Sequence, residues 1–201
     1  MSAQSSRLPA GFARAQAAPS PTRFVRLAEL RRRRGSEQVA AVCYRVRGGA
    51  IEFLLVQTRG QRWTFPKGSV EAGLTHAQSA ALEAFEEAGV HGRMEELSFA
   101  QYVRRKGGDP DDPDCIEVVV NVHLCEVLRL SGAHEPGRNP SWFPVEKARR
   151  RLKQDRADVV AEELLRVLEE ALVRIQQIHN RSRATALALR RAPFTVIEGR
   201  R

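Results

Sequence analysis

The sequence predicts an α/β domain, a sheet of mixed strand direction covered by helices. Three observations carry this reading. Two β-branched, apolar stretches lie close together near residue 45, and two more follow after residue 96. A helix with start and stop signals of its own separates the pairs. Beyond residue 157 apolar residues recur at near-helical spacing. The order strand, strand, helix, strands, helix, helix suits helices packed on a mixed sheet.

The elements follow in order. EQVAAVCYRV (37–46) and IEFLLVQ (51–57) read as strands, and Arg47-Gly48-Gly49-Ala50 between them reads as a hairpin turn. A loop holding QRWTFPKG (61–68) follows. Thr75 with Gln78 three residues later forms a capping-box pattern, and Gly89 suits a left-handed cap, so the helix is placed at 76–88. LSFAQYV (97–103) and CIEVVVNVHLCEVL (115–128) read as further strands, joined by the turn-rich KGGDPDDPD. In WFPVEKARRRL (142–152), Pro144 suits the first turn of a helix. Val160, Leu164, Leu168, Leu172 and Ile175 mark a core-facing helix over about 157–178.

Charge divides the chain. The net charge is +9, yet residues 1–36 carry eight arginines against one acid and residues 180–201 six against one. The segment between them is slightly acidic. The expected organisation is a basic, poorly ordered N-terminal tail (1–36), a folded domain (37–179) and a basic C-terminal tail (180–201). Such tails suit RNA, another polyanion or an acidic membrane surface, but their scarcity of interleaved aromatics favours solvated ends. Residues 1–28 contain Arg, Ser and Ala and no acid, as transit peptides do, but Pro9, Pro19 and Pro21 interrupt any amphipathic helix. No apolar run reaches membrane-spanning length. Cys43, Cys115 and Cys125 match neither a disulfide framework nor a metal pattern, so a reducing, cytoplasmic setting is expected.

The stretch LEAFEEAGV (82–90) stacks Glu83, Glu86 and Glu87 at i, i+3 and i+4 without an intervening cation. Like charges at these spacings repel by a few tenths of a kcal/mol per pair. An exposed acidic stripe accounts for the pattern; so does a cation site, because carboxylates on one rigid helical face are hard oxygen ligands suited to Mg²⁺ or Mn²⁺. Bound cations can neutralise a diphosphate, acidify a water and orient its attack. His76 and His123 read as structural or exposed, and Glu71 as exposed.

In context, WTFPKGSVEAGLTHAQSAALEAFEEAGV (63–90) resembles the signature of the Nudix hydrolases, Gly-x5-Glu-x7-Arg-Glu-U-x-Glu-Glu-x-Gly-U, U being a bulky aliphatic residue. Gly68, Glu83, Glu86, Glu87, Gly89 and Val90 stand at matching positions. Leu74 replaces the first glutamate, Leu82 the arginine, and Ala84 a bulky aliphatic residue. The resemblance spans roughly 37–170 and implies a Nudix-like α/β/α sandwich. It further implies a metal-dependent hydrolase of a diphosphate linkage in a nucleoside diphosphate derivative, with Mg²⁺ (or Mn²⁺) held by the three glutamates. Glu83 would contact the nucleophilic water, and Glu135 is the candidate for a further acid from a later loop. Lys67, Arg59 and Arg62 are candidates to meet phosphate. FPKG before the box looks most like the branch acting on dinucleoside polyphosphates or diphosphoinositol polyphosphates; an RNA 5′-end would suit the basic tails. Arg104 or Arg105 is the candidate to replace the missing box arginine. The two leucines also motivate the alternative of a catalytically weakened Nudix-fold module that binds a nucleotide or polyanion.

Overall fold

The structure is a computed structural model and describes residues 37–106 and 116–191. The expected N-terminal tail, most of the KGGDPDDPD connection, Cys115 and residues 192–201 lie outside these. Among the described residues eleven elements follow one another: β1 (Gln38–Arg47), β2 (Ala50–Gln57), β3 (Trp63–Thr64), β4 (Lys67–Ser69), α1 (His76–Ala88), β5 (Val90–Met94), β6 (Ala100–Lys106), β7 (Ile116–Leu130), β8 (Ser141–Pro144), α2 (Val145–Lys153) and α3 (Asp158–Arg191).

The strands form one mixed sheet with the core order β3-β2-β1-β7-β5. β1 and β7 run parallel, while the remaining pairings are antiparallel. The hairpin between β1 and β2 turns at Gly48 (φ 58°) and Gly49 (φ 81°), with Arg47 opposite Ala50. Two positive φ angles in a row explain why glycine occupies both positions. β1 is buried on both faces and divides its side chains between two cores. Val39, Ala41 and Cys43 pack with Ala80, Ala84 and Ala88 of α1. Ala40, Val42 and Tyr44 pack with Ala148 and Leu152 of α2 and with Leu164, Leu168 and Ile175 of α3. The expected α/β/α sandwich is therefore present, with α1 on one face and α2 with α3 on the other.

Four local expectations are corrected. β3 and β4 arise in the segment read as loop, and β5 in a segment given no element. Pro144 is expected in the first turn of a helix; it is instead the residue before α2, and Trp142 and Phe143 ahead of it pair as β8 with Leu54 and Phe53 of β2. Strand β6 begins at Ala100, three residues after the expected start. The last helix runs on through Arg191, past the expected end at 178 and into the segment read as a tail. On its core face Val167 and Ala171 are buried, whereas Val160 is 46% exposed. No helix among the described residues is long and apolar enough to cross a membrane.

Candidate active site

Helix α1 is fixed at both ends. The Thr75 hydroxyl accepts from the Gln78 amide at 3.2 Å, and the Gln78 side chain accepts from the Thr75 amide at 2.9 Å. At the other end Gly89 takes φ 65° and its amide donates to the Phe85 carbonyl at 2.8 Å. The helix leaves carbonyls without intrahelical partners in its last turn. The Glu86 carbonyl is one of these, and it accepts from the amides of both His134 and Glu135 at 2.9 Å. His134 also stacks on Phe85, with ring centroids 4.4 Å apart. These contacts clamp the β7–β8 loop onto the helix and bring Glu135 beside the acidic face.

Gly68 is in contact with the Glu83 carboxylate; a Cβ there would overlap the carboxylate oxygens. The β4 strand thus approaches α1 where only hydrogen fits. Glu87 is 1% exposed, and its two oxygens are engaged separately: one accepts from the Lys67 amide at 3.3 Å, the other from Arg138 at 2.6 Å. Arg138 also binds Glu135 through Nε at 2.7 Å and Nη2 at 2.6 Å. Leu74 is 39% exposed and Leu82 half-buried, so neither departure from the signature leaves a buried charge unpaired.

The charges shift one another. Burial raises the Glu83 carboxyl from 4.5 to about 7; the charges of Glu87, Glu86 and Glu135 add to the rise, and Arg138 opposes it. Burial likewise pushes Glu87 up, against the pull of Arg138 and Lys67. The Lys67 ammonium is lowered, first by burial and then by Arg104, Arg138 and Arg156, while Glu87 works the other way. Four carboxylates held close enough to feel one another make a strongly anionic patch, in which Glu83 keeps its proton up to about pH 7.

As a donor set Glu83, Glu86, Glu87 and Glu135 have the hard oxygens a small divalent cation takes, and no soft ligand competes. As placed, however, no three acidic, His or Cys side chains among the described residues are gathered tightly enough to hold an ion. The guanidinium of Arg138 spans Glu87 and Glu135 as their countercharge.

Most of the expected site residues come together. The three box glutamates, Glu135 and Lys67 share one cluster. Arg59 is exposed on the β2–β3 loop, and Arg62 on that loop lies near Arg156. Arg104 does not replace the box arginine: it donates to the Gln38 side chain at 3.1 Å. The side chain of Arg105 lies outside the described residues. The guanidinium at the glutamates is Arg138, which sequence reasoning missed. Its signal was faint, a cation three residues after the suspected Glu135.

Sheet, clamped helix and acidic face are together those of a Nudix-type hydrolase. The NUDIX domain family model matches residues 36–163, and the chain belongs to that family. Among solved structures, the fold is similar to a NUDIX hydrolase from Nitrosomonas europaea at 17% identity and TM-score 0.53, covering 69% of this chain and 89% of that one. It is also similar to the NUDIX domain of Shewanella oneidensis NrtR complexed with ADP ribose, at 15% identity and TM-score 0.53, covering 70% and 88%. A C. elegans Ap4A hydrolase matches at 25% identity and TM-score 0.48, over 69% and 98%.

Proposed function

We propose that the chain hydrolyses a diphosphate linkage in a nucleoside diphosphate derivative with the help of Mg²⁺ or Mn²⁺. The observation that carries this reading is the gathering of Glu83, Glu86, Glu87 and Glu135 into one mutually repelling patch, with Lys67 and Arg138 beside it. Those four carboxylates would hold the metal, which supplies charge neutralisation of the phosphates and an acidified water. The chain's own residues supply the rest. Glu83, packed against Gly68 on the acidic face, is the group suited to take a proton from an attacking water. Gly68 keeps β4 close enough to fix the Glu83 rotamer. Lys67 and Arg138 carry positive charge to the phosphate oxygens that flank the linkage. The FPKG segment favours a dinucleoside polyphosphate or a diphosphoinositol polyphosphate as substrate. The buried thiols of Cys43 and Cys125, side by side across β1 and β7 and not joined in a disulfide, favour a reducing compartment such as the cytoplasm.

The test is a hydrolysis screen with Mg²⁺ and Mn²⁺. It spans dinucleoside polyphosphates, nucleotide sugars, NADH, nucleoside triphosphates, diphosphoinositol phosphates and 5′-triphosphate RNA, with Glu86→Gln in parallel. Turnover that needs the metal and falls at least a hundredfold in Glu86→Gln is expected, the size typical of losing a positioned acid–base or charge-stabilising group. Folded protein that turns over nothing in the panel would sink the hydrolase reading and leave a binding module.

A further inference from the structure

Lys67 stands among charges of both signs. Near it are Glu87 with its partner Arg138, and also Arg104 of β6 and Arg156 of the α2–α3 loop; Arg62 of the β2–β3 loop in turn lies near Arg156. Sheet register explains the juxtaposition. Lys67 lies opposite Ala40 of β1, and Arg104 reaches across from β6 to Gln38 at the start of that same strand. Arg156 donates through Nη2 to the Trp63 carbonyl, next to Arg62.

Arg156 is built in an unusual way. Its Nε is buried and has no hydrogen-bond partner among the described residues. A desolvated donor left unbonded costs about 1–3 kcal/mol, and folded proteins seldom leave one without a reason. The neighbouring cations make this worse, since burial and the charge of Arg62 both disfavour the protonated guanidinium.

The backbone points the same way. Among the described residues, the non-glycine positive φ angles are at Gln61 (60°), Asn139 (47°) and Asp155 (56°). Gln61 adjoins Arg62 and Asp155 adjoins Arg156, while Asn139 adjoins Arg138 at the carboxylates. Left-handed backbone costs an L-residue about 1–2 kcal/mol and clusters at ligand-binding sites. Nearby aromatic rings are committed to packing. Trp63 meets Phe143 edge-on at 4.8 Å, and Tyr102 is 7% exposed. The polar groups gathered around Arg156 and Lys67 are cations, which suit phosphate oxygens.

We propose that Arg156, with Arg62, Arg104 and Lys67, forms an anion pocket that takes the outlying phosphates of a substrate bearing an oligophosphate group. This deepens the function proposed above and rests on it for the direction in which the substrate lies. The Nε of Arg156 would then gain the acceptor the fold leaves it without. A sugar nucleotide, whose charge ends at its diphosphate, would leave the pocket unfilled.

Calorimetric titration of the full chain with inorganic tripolyphosphate, in metal-free buffer, tests the pocket without turnover. Arg156→Gln is expected to weaken binding about tenfold, as the loss of a charge-assisted bond does. Arg62→Gln should weaken it severalfold, and Arg47→Gln, exposed at the distant hairpin, should leave it unchanged. The tails are identical in all these proteins, so differences report the pocket. Circular dichroism checks folding; if Arg156→Gln does not fold, the exposed Arg62 variant decides. Absent binding overturns the proposal. So do variants within twofold of the parent, or an Arg47→Gln loss as large as that of Arg156→Gln. A chain that hydrolyses nothing yet binds tripolyphosphate through Arg156 keeps the pocket and loses the hydrolase reading. A chain that hydrolyses diphosphates and binds tripolyphosphate independently of Arg156 does the reverse.

Discussion

Glu83 shows how much a few side chains can decide. Its carboxyl titrates at about 7 in the fold, against an ordinary value of 4.5. The native state therefore holds that proton more tightly than the unfolded chain does. The stability this gives is complete below about pH 4.5 and disappears as the pH rises through about 7. With a chelator present, the melting temperature of the parent relative to Glu83→Gln should fall steadily between those limits. A difference that stays flat across the range would contradict the shared-charge description of the patch. The acids of the patch were legible in the sequence because a helix fixes the spacing of Glu83, Glu86 and Glu87. Arg138 and Arg156 were not, because single cations in loops carry no periodicity and reach their partners only through tertiary structure.

At the scale of elements, α1 and its clamp matter most. Gly89 combines a left-handed φ of 65° with a close neighbour: a Cβ there would run into the Ser131 backbone. Gly89→Ala is expected to cost about 2–4 kcal/mol, strain plus a backbone clash, read as a lower denaturant midpoint. It should also loosen the loop that presents Glu135, since the Ser131 amide bonds the Gly89 carbonyl at 2.8 Å. Unchanged stability would mean that the loop is held elsewhere. Both caps of this helix were readable beforehand, as were the long strands, for caps and apolar alternation are local signals. The short strands were not. β3 and β4 have two and three residues, too few for a period, and pairing with β2 and β1 defines them. β8 shows the same override, since Trp142 and Phe143 follow β2 rather than the proline after them.

For the whole molecule, the larger core lies between the sheet and the α2–α3 layer. Leu168 is fully buried there among Leu164, Ala171 and Ile175. Leu168→Ala should destabilise the fold by about 2–5 kcal/mol through the lost methyl groups and the cavity left behind. Equilibrium unfolding in urea measures it, and a cost under about 1 kcal/mol would mean that α3 is not integral to the domain. A long α3 was expected from its spacing, but its extension through Arg191 was not, because charge composition marked that segment as a tail.

The two-sided burial of β1 has a consequence for how this chain can vary. Ala40 and Ala41 are consecutive, and each is fully buried beneath a different helical layer. A larger residue at either position pushes on its own layer while the strand is held from behind by the other. Neither layer can drift to accommodate the change without disturbing its opposite. In a saturation library, the middle of β1 would accept almost nothing beyond small residues, whereas exposed positions of α3 such as Val159 and Val173 would accept nearly anything. Ten residues of strand thus set the pace at which the whole domain can diverge.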